Sequence, residues 1–288
     1  MTRTITLALC LALPLLAAAG GPWPQQRGRA FLKLSGWYLG YDQHYTDAGL
    51  LDPNITSRVY GTYLYGEYGI TDRWTGLVNA NLFGRQANNA VASATTREVD
   101  TPGEALNAFG DVELGLKYAL TRPGAALPVA VSLVLGLPTG TPSAGAQGTL
   151  QTGDGEFNQL LRVDAGRSFR VAEGASGYLA AYAGFNHRTR GFSEELRLGA
   201  EAGLGLLGDR LYVIGRLDAV ESLRNGNPTV TVNASGIFAN NAEWLSLAGE
   251  VSYGVSERWG LSAGAATAVR GRVVAAGTSV TAGVWVKL

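Results

Sequence analysis

The chain has 288 residues, with 23 basic and 23 acidic side chains, so its formal net charge at pH 7 is zero. This balance gives no support to the large basic surface that nucleic-acid binding requires. The one cysteine is Cys10, close to the start of the chain, so the rest of the chain has neither a disulfide framework nor thiol chemistry.

Residues 1–19 have the pattern of a secretory signal peptide. Arg3 precedes an apolar run over residues 5–16, and three alanines follow it at 17–19. The run is shorter than the roughly 20 residues that a membrane-spanning helix needs. We therefore predict that residues 1–19 are a cleaved signal peptide and that residues 20–288 form one exported domain.

Beyond the predicted signal peptide, apolar and polar residues alternate with a period of two. In residues 109–120, Asp111, Glu113 and Lys117 occupy odd positions, whereas apolar side chains occupy most even positions. Residues 195–206 show the same division. Only a β-strand places alternate residues on opposite faces, so each segment has one charged face and one apolar face.

About twelve such segments follow one another along the chain. The predicted strands are residues 30–42, 58–70, 74–84, 109–120, 127–137, 156–168, 176–188, 194–207, 210–222, 243–255, 258–270 and 273–288. A tilted strand needs about 9–11 residues to cross a bilayer, and most of these segments are long enough. Short connections largely alternate with long ones, which a secreted β-sandwich does not explain.

These features together predict the fold class. We expect an all-β protein: a transmembrane antiparallel up-and-down β-barrel of about 12 strands in the outer membrane of a Gram-negative cell. A barrel of fourteen strands is the alternative count. The short turns are expected on the periplasmic side and the long loops outside the cell.

A repeated sequence supports the prediction of hairpins. Residues 68–74 read YGITDRW, and residues 253–259 read YGVSERW. Each copy reads as a strand end, a polar tight turn and an aromatic residue that opens the next strand. We predict that the aromatic residues of both copies belong to a girdle at the level of the lipid headgroups: Tyr68, Trp74, Tyr253 and Trp259.

In a bilayer the apolar strand faces point to lipid, so the charged faces point into the barrel. The predicted lumen-lining residues are Glu67, Asp111, Glu113, Lys117, Glu156, Arg162, Asp164, Glu195, Arg197, Glu201, Arg216, Asp218, Glu250 and Lys287. Two roles are open for them. They form a structural network of paired charges, or they line a polar channel and determine permeation. Both roles can coexist around a constricted pore.

Three segments in the middle of the chain resemble a known family. They are GDVELGLKY at 110–118, LGLPTG at 135–140 and TGDGEF at 152–157. These segments resemble the MetA-pathway of phenol degradation family of bacterial outer-membrane proteins, also described as outer-membrane transporters. The resemblance implies an outer-membrane barrel that admits small molecules, with hydrophobic or aromatic compounds as the solute class, and it brings no catalytic residues.

The sequence gives little support to an enzyme or a metal site. His44 and His187 are the two histidines and lie far apart in the chain. Thr189 shares the predicted outward face of His187, but threonine is a poor substitute for the serine of a lipid hydrolase, and no paired acid is evident. We predict no catalytic residue, no metal and no cofactor.

We therefore expect a monomeric channel or transporter for the passive passage of small solutes, hydrophobic or aromatic ones among them. Its expected partners are the outer-membrane bilayer, an unidentified solute, and the barrel-assembly machinery, which reads the last strand ending at Leu288. The alternative is a non-transporting structural or surface-interaction barrel whose lumen is plugged by its own charges.

Overall fold

A computed structural model describes residues 20–53, 56–93, 95–230 and 238–288. The predicted signal peptide, residues 1–19, lies outside these described residues. Within them the chain consists of strands, turns and loops. No helix in the described part of the chain is long and apolar enough to span a membrane.

Twelve long strands form the wall of a closed barrel. They are β1 (Ala30–Tyr41), β2 (Ser57–Gly69), β3 (Trp74–Asn88), β4 (Val112–Ala119), β5 (Val129–Leu137), β6 (Asn158–Ala172), β7 (Ala175–Arg188), β8 (Glu195–Leu206), β9 (Leu211–Ser222), β10 (Glu243–Gly254), β11 (Trp259–Arg272) and β12 (Thr278–Lys287). Each strand pairs antiparallel with the next. The last strand, β12, pairs with β1, from Phe31 opposite Lys287 to Leu39 opposite Ser279. The predicted twelve-stranded antiparallel barrel is confirmed.

The barrel is apolar outside and polar inside. On the outer face, Leu179 is 54% exposed and Val251 is 48% exposed. Glu156, Asn186 and Thr75, in contrast, are among the largest fully buried side chains. A soluble β-sheet protein has the opposite distribution, whereas a barrel in lipid requires this one because its outer face meets hydrocarbon.

The two copies of the repeated sequence form equivalent turns, between β2 and β3 and between β10 and β11. Thr71 Oγ1 accepts hydrogen bonds from the amides two and three residues later, at 3.2 and 3.0 Å. Ser256 Oγ accepts the same two bonds in the second copy, both at 3.2 Å. Local side-chain hydrogen bonds of this kind stabilise tight turns, so the shared sequence has a direct structural reason.

The wall differs from the sequence prediction on both sides of one loop. The structure continues β3 to Asn88 instead of ending it at residue 84, because its backbone stays paired with β2 as far as Ser57. The side chains of Gln86 and Asn88 also bind the loop residue Thr149 inside the barrel. The strand predicted at 109–120 begins later, at Val112, and a short extra strand, Glu104–Ala108, pairs with the last residues of β3. The remaining short strands lie in the connections at the long-loop end: Gln43–Tyr45, Leu51–Asp52, Val91–Ala92, Val99–Thr101 and Val274–Ala276.

Residues 20–29, which we call the N-terminal segment, enter the barrel at its short-turn end. Gly28 donates its amide to the carbonyl of Gly69 at the end of β2, at 2.8 Å. Pro22 is fully buried, and the ring edge of Trp23 meets Tyr178 on β7 with 5.7 Å between centroids. The N-terminal segment therefore crosses the lumen from β2 to β7.

Candidate functional site

At the short-turn end, one buried ion pair holds the N-terminal segment. Lys117 Nζ lies 3.4 Å from Glu67 Oε1, and the two side chains are 3% and 1% exposed. Lys117 also donates hydrogen bonds to two carbonyl oxygens of the segment, both at 3.2 Å. Glu67 accepts bonds from the Gly20 amide and from Gln25 Nε2, both at 2.9 Å. We call this pair and the segment it binds the plug layer.

Beside the plug layer, and on its long-loop side, the barrel contains a cavity of about 510 Å³, whose lining also reaches Gly20 of the N-terminal segment and Asp209 at the short-turn end. Arg216 on β9 pairs there with Glu201 on β8 and, at 2.9 Å, with Glu250 on β10. Glu250 also pairs with Lys33 on β1 at 2.6 Å, across strands that are not neighbours in the wall. These four side chains, the central layer, are 14% to 26% exposed, so they have more access to water than the plug layer.

The charged surface of the cavity continues onto β6 and β7. Arg162 lies 3.7 Å from the centroid of the Tyr182 ring, and its Nε donates to Asp164 Oδ1 at 2.9 Å. The Tyr182 hydroxyl donates to Asp218 Oδ1 at 2.7 Å. The ring lies against Gly199 on β8, where an added Cβ would overlap it, so this glycine is required for close contact.

The opposite side of the cavity is aromatic. Its lining includes Phe31 and Trp37 of β1, Tyr63 and Tyr65 of β2, and Trp285 of β12. The Phe31 ring stacks on the Trp285 ring with 6.3 Å between centroids and meets the Tyr65 ring at 6.5 Å. The cavity therefore has a mainly charged side on β6 to β10 and a mainly aromatic side on β12, β1 and β2, which also carries Lys33 and Lys287.

At the long-loop end, one arginine is surrounded by three carboxylates. Arg188 Nε and Nη1 each donate at 2.7 Å, to Glu156 and to Glu195, and Nη2 lies 3.3 Å from Asp154. Arg197 also pairs with Glu195 at 2.9 Å. Arg188 is 5% exposed and Glu156 is 0% exposed, so this outer layer is as dry as the plug layer. Charges buried and paired in this way need all their partners, because removing one leaves an uncompensated buried charge.

Asp111 ties the loop between β5 and β6 to the inner wall. Its two carboxylate oxygens accept hydrogen bonds from the amides of Gly140 at 2.8 Å and Asp154 at 3.1 Å. Thr139 Oγ1 donates to the Gly110 carbonyl at 2.7 Å. These contacts join all three segments that carry the family resemblance, because the first contributes Asp111 and each of the other two donates a backbone amide to its carboxylate.

The predicted lumen residues thus form three groups along the barrel axis, from the short-turn end to the long-loop end. The plug layer contains Glu67 and Lys117, the central cavity contains Arg162, Asp164, Glu201, Arg216, Asp218 and Glu250, and the long-loop end contains Asp111, Glu156, Glu195 and Arg197. Glu113 accepts a bond from Asn79 at 2.9 Å, and Lys287 Nζ lies 4.8 Å from the Trp285 ring centroid. Their role in permeation stays a prediction.

The sequence analysis missed two charges and the N-terminal segment. Lys33 is two positions from Phe31, and Arg188 is two positions from Asn186. Residues two apart in a strand share a face, so extending the period-two pattern to the strand ends places both charges inside. For residues 20–29 the sequence carries no such signal, because their prolines indicate only an extended chain.

The four predicted girdle residues lie on the outer face beside short turns. Tyr68, Trp74, Tyr253 and Trp259 are 40% to 54% exposed. The Trp74 ring lies 4.6 Å from the ring of Tyr118. The guanidinium of Arg210 lies 5.5 Å from the Tyr253 ring centroid. Their contact with lipid headgroups stays a prediction.

His187 and Thr189 are directed to different partners. His187 Nδ1 lies 2.8 Å from Glu194 Oε1, and this hydrogen bond lowers the pKa of Glu194. Thr189 Oγ1 instead accepts a bond from the Phe157 amide at 2.8 Å. Across the described ranges, no group of three or more His, Cys, Asp or Glu side chains is arranged to hold a metal ion.

Comparison with known proteins supports the fold. No protein-family model and no curated protein matches the chain. An outer membrane channel from Pseudomonas putida F1 is 13% identical, with 94% of this chain and 100% of that chain covered and a TM-score of 0.57. The beta domain of the Bordetella autotransporter Brka is 13% identical, with 90% and 100% covered and a TM-score of 0.50. LpxR from Salmonella typhimurium is 11% identical, with 89% and 99% covered and a TM-score of 0.50.

These likenesses show the fold alone, because the sequence identities are too low to show a shared function. Together with the closed wall and its apolar outer face, they identify the chain as an outer-membrane β-barrel.

Proposed function

We propose that this protein is a passive outer-membrane channel for small solutes, with aromatic or hydrophobic compounds as its solute class. The observation that carries the proposal is the central cavity of about 510 Å³, whose paired charges are accessible to water. This volume lies within the range of roughly 300–1,000 Å³ that is typical of small-molecule sites. The first structural relative, an outer membrane channel, and the family resemblance support the same conclusion.

The two sides of the cavity support the solute class. An aromatic solute can stack against Trp37 and Tyr63, while its polar substituent exchanges hydrogen bonds with Arg216 or Glu201. Both kinds of contact replace part of the solute's hydration, which lowers the free-energy barrier to its passage. A cavity lined by charge alone would give no such preference for aromatic compounds.

Planar-bilayer recording in a salt gradient tests the channel. We expect ion current through the refolded protein, with reversal potentials that shift in opposite directions for Glu201→Gln and Arg216→Gln, because each variant removes one sign of charge from the pathway. Arg270→Gln, on the outer face, is the matched control and should leave the reversal potential unchanged. A folded protein that stays silent even without residues 20–26 contradicts the proposal and supports a non-transporting barrel.

Block of the ion current tests the solute class. We expect phenyl glucoside to interrupt the current for longer than methyl glucoside, because only the first compound can stack on the aromatic side. Trp37→Leu should remove the difference and keep the current, since leucine is apolar but has no ring and does not narrow the pathway. Equal block by both glucosides in the native protein would contradict an aromatic preference.

We also propose how the protein matures. Residues 1–19 are removed as a signal peptide, and the barrel is inserted as a monomer by the barrel-assembly machinery. The pairing of the final residue supports a role for the last strand, since Leu288 and Ala30 exchange two backbone hydrogen bonds at 2.9 and 3.0 Å. The intact mass of protein extracted from outer membranes tests the cleavage, and light scattering in detergent tests the monomer.

A further inference from the structure

Two arginines at the long-loop end of the wall face away from the lumen. Arg58 lies on β2 next to the inward-facing Ser57, and Arg85 lies on β3 next to the inward-facing Gln86. In the sheet register, Tyr60 is opposite Arg85, and Arg58 is opposite the residue two positions further along β3. The two arginines are therefore diagonal neighbours on the outer face, a relation that places Cα atoms about 7–8 Å apart.

Neutral amides hold both guanidinium groups. Arg58 Nη1 donates to Asn89 Oδ1 at 3.2 Å, and Arg85 Nη1 donates to Asn107 Oδ1 at 2.8 Å. Neither arginine forms an ion pair with a carboxylate in the part of the chain that the structure describes. This side of the barrel thus carries two adjacent positive charges that the protein itself does not compensate.

The opposite arrangement occurs elsewhere at the same end of the barrel. Arg270 on the outer face of β11 pairs with Glu221, and Arg224 pairs with Glu243 at 3.0 Å. The barrel therefore compensates these arginines with its own carboxylates. At Arg58 and Arg85 the described residues supply no such carboxylate, so both guanidinium groups are available to a dissolved anion or an anionic lipid.

The neighbouring side chains place this pair at the lipid boundary. Tyr60 is 40% exposed, and its ring lies 4.8 Å from the ring of Tyr38 on β1. Leu82 and Phe83, just before Arg85 on β3, are 41% and 45% exposed. Tyrosine is typical of the headgroup level, and leucine and phenylalanine of the acyl-chain level. With the long loops outside the cell, as the sequence predicts, the two positive charges are expected at the level of the outer-leaflet phosphates.

We propose that Arg58 and Arg85 bind a phosphate group of lipid A, the phosphorylated glycolipid of the outer leaflet. Guanidinium groups bind phosphate through paired, charge-assisted hydrogen bonds, and two long side chains at this separation can approach one phosphate from both sides. Asn89 and Asn107 orient the guanidinium groups without neutralising them. Phe83 and its exposed neighbours contact the acyl chains. This site lies on the outer wall and does not depend on the pathway through the lumen.

Native mass spectrometry of the detergent-solubilised protein with added lipid A tests the site. We expect the native protein to bind diphosphorylated lipid A and to lose about tenfold or more of that affinity in the double variant Arg58→Gln/Arg85→Gln, because charge-assisted hydrogen bonds are lost. The matched control Arg270→Gln should bind as the native protein does. Raised salt should weaken binding to the native protein and not to the double variant.

A lipid without phosphates and a variant that keeps the charge test the site further. Fully dephosphorylated lipid A should bind the native protein as weakly as the double variant binds the diphosphorylated form. Arg58→Lys/Arg85→Lys, which keeps the charge, should retain more affinity than the glutamine variant. The proposal is overturned if the double glutamine variant, shown to be folded by its heat-modifiable migration, binds diphosphorylated lipid A as tightly as Arg270→Gln does.

Discussion

Lys117→Met should release the N-terminal segment and open the short-turn end of the barrel. Methionine keeps most of the length and the apolar stem of the lysine but removes its ammonium group. The variant loses two hydrogen bonds from Lys117 Nζ to carbonyl oxygens of the segment, both at 3.2 Å. It also leaves Glu67 without its cation, while the bonds from Gly20 and Gln25 stay in place.

The expected size of the effect follows from these two bonds. A hydrogen bond to a charged group contributes roughly 1.5–3 kcal/mol, and the 3.2 Å distances favour the lower value. Losing both weakens the bound position of the segment by about 3 kcal/mol, since the group is buried and solvent screening is small. A change of that size lowers the ratio of bound to released segment about a hundredfold.

Single-channel recording measures this change directly. We expect longer and more frequent high-conductance openings in Lys117→Met, with the same amplitude as in a variant lacking residues 20–26. The double variant Glu67→Gln/Lys117→Met is the control for an unpaired buried carboxylate, and heat-modifiable migration shows that each barrel is folded. If the deletion leaves the current unchanged, the segment does not limit ion flow. If only the deletion raises it, the Lys117 bonds do not hold the segment.

Three further substitutions test other parts of the lumen. Gly69→Ala should raise the open probability without any change of charge, because an added Cβ would overlap the Gln26 carbonyl of the N-terminal segment; current recording measures it. Arg188→Met should destabilise the barrel by about 3–5 kcal/mol, since it leaves buried carboxylates unpaired, and urea unfolding in lipid vesicles measures it. Gly203→Ala should also lower stability in the same assay, by about 1–3 kcal/mol, because the new Cβ overlaps the Tyr178 ring.

The sequence predicts the wall well because its signal is local. Alternation with period two specifies both the strands and their inward faces, and a closed antiparallel sheet leaves each strand only its sequence neighbours as partners. The strand ends are less certain. Gln86 and Asn88 look like loop residues, yet their backbone stays paired with β2, and their side chains bind Thr149, 61 to 63 residues away in the chain. A local pattern carries no information about such a contact.

The difference between a local pattern and a distant contact also explains which features of the candidate site the sequence does not predict. Alternation places Arg216, Glu201 and Glu250 inside the barrel, but it does not say which charges pair or how much water reaches them. The Lys33–Glu250 pair joins residues 217 positions apart, and only the closure of the barrel brings them together. The N-terminal segment depends entirely on such distant contacts, because it has no strand partner beyond the rim.

The arrangement of charge by height reconciles the two roles that the sequence left open. The buried apolar cluster of this barrel, centred on Leu39 and Tyr41, is small. Buried ion pairs must therefore hold much of the interior together, and removing one partner leaves an uncompensated buried charge. Arg188 at one end and Lys117 at the other have this character, at 5% and 3% exposure. Between them, Arg216 is 26% exposed and pairs with two carboxylates that line a water-accessible cavity. We infer that the charges at the two ends of the barrel are structural and that solute selection occurs between them. Neutralising Arg216 should then change selectivity more than stability, whereas neutralising Arg188 should change stability more than selectivity.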